Sequence, residues 1–176
     1  MYGNIMQDVN NVPTPDHDLL GKWDLYYHLL HDKSWDLSSY KTIMKDIDTV
    51  EKVISINEKI PENVVKYSML FIMRSGIKPM WEDPKNRSGG CFSFKVINKQ
   101  VYNAWKALVY ALCGETLFMN PLHSKLVNGI TISPKKNFCI IKVWLENCNI
   151  QDPSSMVDIP NLQKAGCLFK KHEPEF

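Results

Sequence analysis

Eleven residues, PMWEDPKNRSG from Pro79 to Gly89, hold the densest chemistry in this chain. Trp81 offers a flat π-face, and Glu82 beside it offers a carboxylate that can accept two parallel hydrogen bonds. One edge of guanine presents two such donors, N1–H and N2–H2. A base stacked on Trp81 and read in its plane by Glu82 would be held in the way proteins hold unpaired bases. Trp35, in the charged stretch HDKSWD, is a second tryptophan in a loop-like setting. A large aromatic in such a place either plugs the end of a core or meets a ligand, and the pattern is even between the two. A third constellation lies downstream. Counting in twos from Trp144 puts Lys142 and Ile140 on the same face of a strand, beside a turn that carries Lys135 and Lys136. Lysines in a turn are ordinarily just solvated, but a tryptophan and a lysine on one face beside a basic turn form a base-plus-phosphate pattern. Glu82 and Asp83 make a poor acid–base couple, since adjacent side chains on an extended segment point apart and no nucleophile accompanies them. The five histidines show no metal spacing, and NRSGG lacks a phosphate-loop pattern, so no metal or cofactor is implied.

The elements that must position these residues alternate between two periods. Lys22–Leu30, Ser39–Lys45, Tyr67–Met73 and Cys91–Ile97 read as strands, the last two flanking the PMWED loop. Val127–Ser133 and Phe138–Glu146 bracket a hairpin-like turn, and Gly166–His172 reads as a last strand. Asp48–Ile60 reads as a helix opened by Asp48, with Val53, Ile56 and Ile60 on one side and Pro61 ending it. Val101–Glu115 is the clearest helix, its stripe running Val101, Ala104, Trp105, Leu108, Ala111, Leu112. Trp105 and Trp23 are therefore expected in the core. Asp152–Lys164 holds at most a short helix. Strands outnumber helices and most neighbours read as antiparallel, an α+β pattern with helices on one face of a sheet.

A chain of 176 residues that is 44% hydrophobic suits one domain with a sizeable core. Residues 17–176 form that expected domain. Residues 1–16 read as a polar, mobile tail, with neither the basic nor the apolar region of a signal peptide. No apolar run is long enough to span a bilayer, so no membrane is expected. Five scattered cysteines without a CxxC pair argue against disulfides or zinc and for a reducing, cytoplasmic setting. A net charge of +2 is too mild for gripping duplex DNA and suits a ligand with few phosphates.

Several segments together resemble the mRNA cap-binding translation initiation factor 4E family: HDLLGKW (17–23), DKSW (32–35), DTVE (48–51), GIKPMWED with NRSGG (76–90), WKALVYALCGE (105–115) and IKVW (141–144). The resemblance implies a curved antiparallel sheet with helices on the convex face and a cap slot on the concave side. It implies that Trp35 and Trp81 sandwich 7-methylguanine, that Glu82 reads N1 and N2, and that Trp144 touches the N7-methyl group. It also shows departures. The family's phosphate-binding arginine falls on Lys135, its later lysine on Ile140, and a further arginine on Cys91, which leaves Lys142 as the candidate replacement and Lys135 or Lys136 as the turn contact.

On the convex face, the resemblance implies a site for a scaffold partner similar to initiation factor 4G. His17 and Val50 match the family there, Ile54 replaces an anchoring tryptophan, and Lys106 and Tyr110 stand at altered contact positions. The expected partners are 7-methylguanosine-capped mRNA and a divergent scaffold protein. The expected function is non-enzymatic cap binding that recruits mRNA. The alternative is a repressor that sequesters caps without engaging the usual scaffold.

Overall fold

Among the described residues, alternation of apolar and polar residues builds seven strands, and helical spacing builds the layer behind them. The computed structural model describes residues 16–173, so the tail expected over residues 1–16 lies outside the described residues except for Asp16. In chain order the elements are β1 (Asp18–His28), a 3-10 turn (Leu37–Ser39), β2 (Tyr40–Thr49), α1 (Val50–Lys59), α2 (Glu62–Tyr67), β3 (Met69–Arg74), α3 (Pro84–Arg87), β4 (Gly90–Ile97) and α4 (Asn98–Cys113). There follow α5 (Pro121–Ser124), β5 (Val127–Pro134), β6 (Phe138–Leu145), a second 3-10 turn (Pro153–Ser155) and β7 (Leu168–Lys171). The strands form one antiparallel sheet in the order β2-β1-β3-β5-β6-β4-β7. This is the expected α+β class.

The helices differ from the sequence reading at the α1 cap and in three short segments. α1 begins at Val50, and its cap is Thr49, whose hydroxyl accepts from the Lys52 amide at 3.3 Å. Asp48 stays in β2 and uses its carboxylate to hold Lys52 Nζ at 2.6 Å and Lys22 Nζ at 3.5 Å. Both residues are of the capping type, and strand pairing up to Thr49 decides between them. The short α2, α3 and α5 have no counterpart in that reading, because six residues in α2 and four in each of the others are too few to display a helical period.

α4 supplies the core layer. Val101, Ala104, Trp105, Leu108 and Leu112 bury one side of it against Phe92 and Phe94 of β4 and Ile141 and Val143 of β6. Trp23 joins the same core from β1, with the Arg74 guanidinium 4.5 Å from its ring centre. Arg74 in turn donates to Glu115 at 2.7 Å, tying the end of β3 to the segment after α4. All five cysteines are free thiols.

The double glycine at the start of β4 is a packing requirement. A Cβ on Gly89 would stand 1.8 Å from the Leu145 carbonyl oxygen, and one on Gly90 would stand 2.6 Å from that of Lys170. At Gly89 only backbone is in the way, and at Gly90 the Phe169 ring stands as close as the carbonyl. Gly89→Ala is therefore expected to destabilise the chain by about 3 kcal/mol or more, the upper range for overpacking. Urea unfolding measures it, and a loss under about 0.5 kcal/mol, the ordinary scatter of surface changes, would contradict the close approach.

Candidate nucleotide-binding cavity

Trp81 and Glu82 ride on a turn between β3 and α3 that is tied from beneath. Asp83, buried, accepts from the amides of Lys78 at 3.0 Å and Lys85 at 2.9 Å. Its carboxylate thus joins both limbs of the turn and caps α3. Asn86 has no exposed surface and donates to the carbonyls of Lys78 and Met80 at 3.1 and 2.8 Å. Its own amide oxygen accepts from Asn128 Nδ2 at 3.0 Å, which anchors the turn to β5. Asp83 points inward, and its neighbour Glu82 is exposed. The acid pair of the sequence is one structural carboxylate and one free one.

The turn forms one wall of a cavity of about 960 Å³ on the sheet face opposite α4. Trp35, Trp81, Glu82, Trp144, Lys135 and Lys142 all line it. Lys136 is exposed and does not line it, which separates the two turn lysines that the sequence left equivalent. Ile140 lines the cavity as an apolar group, as the strand parity required. Trp81 packs on a small cluster of Phe71, Met73, Ile77, Cys91 and Trp144, separate from the main core.

Each aromatic has a fixed setting. Trp35 is 52% exposed and lies flat on the His28 ring, with centroids 4.3 Å apart and planes 7° apart. His28 is itself fixed by a 2.8 Å bond between Nε2 and the Ser34 carbonyl. Trp144 Nε1 donates to Thr131 Oγ1 at 3.2 Å, and its ring lies 4.6 Å from His172. Tyr40 lines the cavity near Glu82, and burial first, then the Glu82 charge, push its phenol up to about 12. Tyr40 therefore stays a neutral donor at physiological pH.

His28, Tyr40, Asp83, Lys170 and His172 were missed as parts of this site. The register of β1 with β2 brings in His28 and Tyr40, and that of β4 with β7 brings in Lys170 and His172; such long-range pairing leaves no local signal. Only Asp83, two residues before an α3 amide it caps, carried a local one.

The convex-face residues lie on the opposite side of the molecule's core layer. Val50 and Ile54 are 39% and 45% exposed on α1, and Tyr110 is 42% exposed on α4. His17 Nδ1 lies 2.7 Å from Glu51 Oε1, and the His17 carbonyl accepts from the Val50 amide at 2.8 Å. That contact raises the His17 pKa and lowers the Glu51 carboxyl to about 2. Lys106 does not stand free for an acid on a partner, because Glu58 already holds its Nζ at 3.1 Å.

An open antiparallel sheet with helices on one face and an aromatic, cation-edged cavity on the other defines a class of curved-sheet binding proteins. Residues 18–172 match the family model of eukaryotic initiation factor 4E. The chain belongs to that family. A mimivirus homologue of translation initiation factor 4E is 45% identical over 62 residues, 35% of this chain and 23% of that protein. Initiation factor 4E-2 of Schizosaccharomyces pombe is 32% identical over 138 residues, 77% of this chain and 50% of its own length. The chain thus spans half or less of these two relatives. Among solved structures, schistosome eIF4E complexed with m7GpppA and 4E-BP superposes with a TM-score of 0.68 at 25% identity, covering 76% of this chain and 74% of that one. Ascaris suum eIF4E-3 with an m2,2,7G cap shares the fold with a TM-score of 0.73 at 21% identity, covering 92% and 94%.

His172 gives the site a pH dependence. Burial holds its imidazole below the ordinary 6.5, against the pull of the Asn86 carbonyl at 2.8 Å, and Lys142 adds a push in the same direction. Its Nε2 is buried without a partner among the described residues, so a second proton there meets no acceptor among them. The unfolded chain takes up this proton at higher pH than the folded one. The stability it contributes is therefore complete above about pH 6.5 and is lost as pH falls through the depressed folded value. Thermal unfolding from pH 7.5 to 5 is expected to fall less steeply for His172→Gln than for the parent. Equal slopes would place the titration elsewhere.

Proposed function

We propose that this chain binds the 7-methylguanosine cap of mRNA and recruits that mRNA for translation initiation. The observation that carries the reading is the Trp81–Glu82 turn, held from beneath by Asp83 and Asn86, facing a cavity that Trp35, Trp144 and Lys142 also line. A 7-methylated guanine is cationic, so stacking on an indole gains a cation–π component. Glu82 accepting from N1–H and N2–H2 of that base is charge-assisted at both ends. Trp144, oriented by Thr131, contacts the methyl group, and Lys142 and Lys135 meet the phosphates. Schistosome eIF4E complexed with m7GpppA and 4E-BP, and the Ascaris protein with an m2,2,7G cap, support this ligand class.

The activity is binding without turnover, in the cytoplasm. None of the described helices is long and apolar enough to cross a membrane. The partner is a scaffold or 4E-binding protein seated over Val50, Ile54 and Tyr110, with His17 and Lys106 at the rim. The cap-sequestering alternative has no observation of its own in its favour, because the α1 face is open to a partner.

Cap binding is tested by titrating 7-methyl-GTP against tryptophan fluorescence. The parent is expected to show quenching, and Trp81→Ala to lose on the order of 1–3 kcal/mol of binding, the range for one base–aromatic stack. Glu82→Gln keeps the shape but removes charge assistance and is expected to cost about tenfold in affinity. Binding of unmethylated GTP as tight as that of 7-methyl-GTP, or full affinity in Glu82→Gln, would end this reading.

The partner site has its own test. Calorimetry with a helical scaffold peptide should show binding to the parent and at least a tenfold loss in Ile54→Asp, since apolar anchors dominate such grooves. Peptide affinity indifferent to Ile54→Asp would move the partner off this face.

A further inference from the structure

Among the described residues the concave face carries two further cations outside the pattern of base and phosphate residues described above, Lys95 and Lys170. Lys170 of β7 pairs across the sheet with Cys91, and Cys91 pairs on its other side with Trp144. Trp144, Cys91 and Lys170 therefore form one row across β6, β4 and β7. The next row on the same face runs Thr131, Lys142, Ser93, Leu168. Lys142 and Lys170 are diagonal neighbours across β4. Two strand spacings and one pleat repeat set their Cα atoms roughly 12 Å apart. Lysine's flexible four-carbon stem lets both ammonium groups converge on one bridging anion from that distance.

Both lysines line the cavity. Both fields fall on the Cys91 thiol between them, opposing the rise that burial imposes on it. Neither has a carboxylate partner among the described residues. Two like charges facing one cavity repel each other, and a polyanion between them turns that repulsion into attraction. The other route, along β6 from Lys142 to the Lys135 turn, passes Ile140, which offers no donor. Lys95, also on this face, is occupied over the Phe138 ring at 4.4 Å.

We infer that Lys170 is a phosphate-binding residue which, with Lys142 across β4, draws the polyphosphate of a bound 7-methylguanine nucleotide towards the β7 edge of the sheet. This rests on the cap-binding reading, which sets the base at Trp81 and Trp144. The first phosphate then leaves the base beside Trp144, and the charges further along the bridge meet Lys170. The recognised chemistry is the second and third phosphates, so the residue sets preference by phosphate number and is not a catalytic one.

The test titrates 7-methyl-GMP, -GDP and -GTP against the parent, Lys170→Ala, Lys170→Arg and Lys135→Ala. Lys170 is exposed and makes no core contact, so the variants fold as the parent does. Lys170→Ala is expected to lose roughly five- to tenfold with the triphosphate and under about twofold with the monophosphate, the scale of one charge-assisted contact. Lys170→Arg restores the triphosphate affinity, and Lys135→Ala loses less than Lys170→Ala. No loss in Lys170→Ala, or an equal loss at every phosphate number, overturns the inference. A parent that binds no 7-methylguanine nucleotide sinks the cap-binding reading instead. Inorganic tripolyphosphate then decides for Lys170: weaker binding in Lys170→Ala upholds an anion site, and indifference overturns it.

Discussion

The two-residue period of the sheet is the constraint on which both faces of this molecule depend. Phe92, Phe94, Ile141 and Val143 have to lie under α4 to make the core. Their immediate neighbours then have no choice but to face the other way, and these are Cys91, Ser93, Ile140, Lys142 and Trp144. A slip of one residue in the β4–β6 register would push the core residues into the cavity and the cavity residues into the core. Burial of the apolar face therefore fixes the position of the polar one. The cavity side chains inherit their register from a hydrophobic layer they never touch.

The turn bearing Trp81 and Glu82 follows a different rule, because it belongs to no strand. Two buried polar residues do there what pairing does in the sheet. A buried carboxylate or carboxamide is costly unless its bonds are made, and Asp83 and Asn86 make theirs to the backbone of the turn itself. The same unmade-bond penalty that endangers a buried polar group makes this turn hard to deform. Trp35, on the other wall, is held by a stack on His28 and the His28–Ser34 bond, and it keeps half its surface in solvent. One wall is locked by hydrogen bonds and the other is braced by a ring.

Most of this architecture was legible in the chain. Period-two runs marked the strands to within a few residues, the stripe from Val101 to Leu112 marked α4, and parity from Trp144 selected Lys142 and Ile140 as cavity neighbours. The adjacency of Trp81 and Glu82 in a charged loop pointed to the turn itself. What escaped notice was set by distance along the chain. Lys170 and His172 reach the site only through the pairing of β7 with β4, roughly eighty residues earlier. The choice between Lys135 and Lys136 hung on turn geometry, closed by the bond from the Lys135 amide to the Phe138 carbonyl at 2.8 Å, which no count of residues supplies. Side-chain alternation set Glu82 and Asp83 apart, whereas the amides that Asp83 holds are a property of the backbone path.

Among the described residues the sheet does not close, and an open sheet leaves a row of unpaired backbone donors and acceptors along each outer strand. Such a row invites strand addition by another chain and seeds aggregation unless it is short, charged or covered. At one edge β7 is four residues long and ends in two lysines. Lys170 turns to the concave side, and Lys171, the next residue, turns to the other. An anion that neutralises Lys170 leaves the charge of Lys171 in place on the same edge. The outer strand thus keeps its guard whether the cavity is filled or empty, and colloidal stability is decoupled from occupancy.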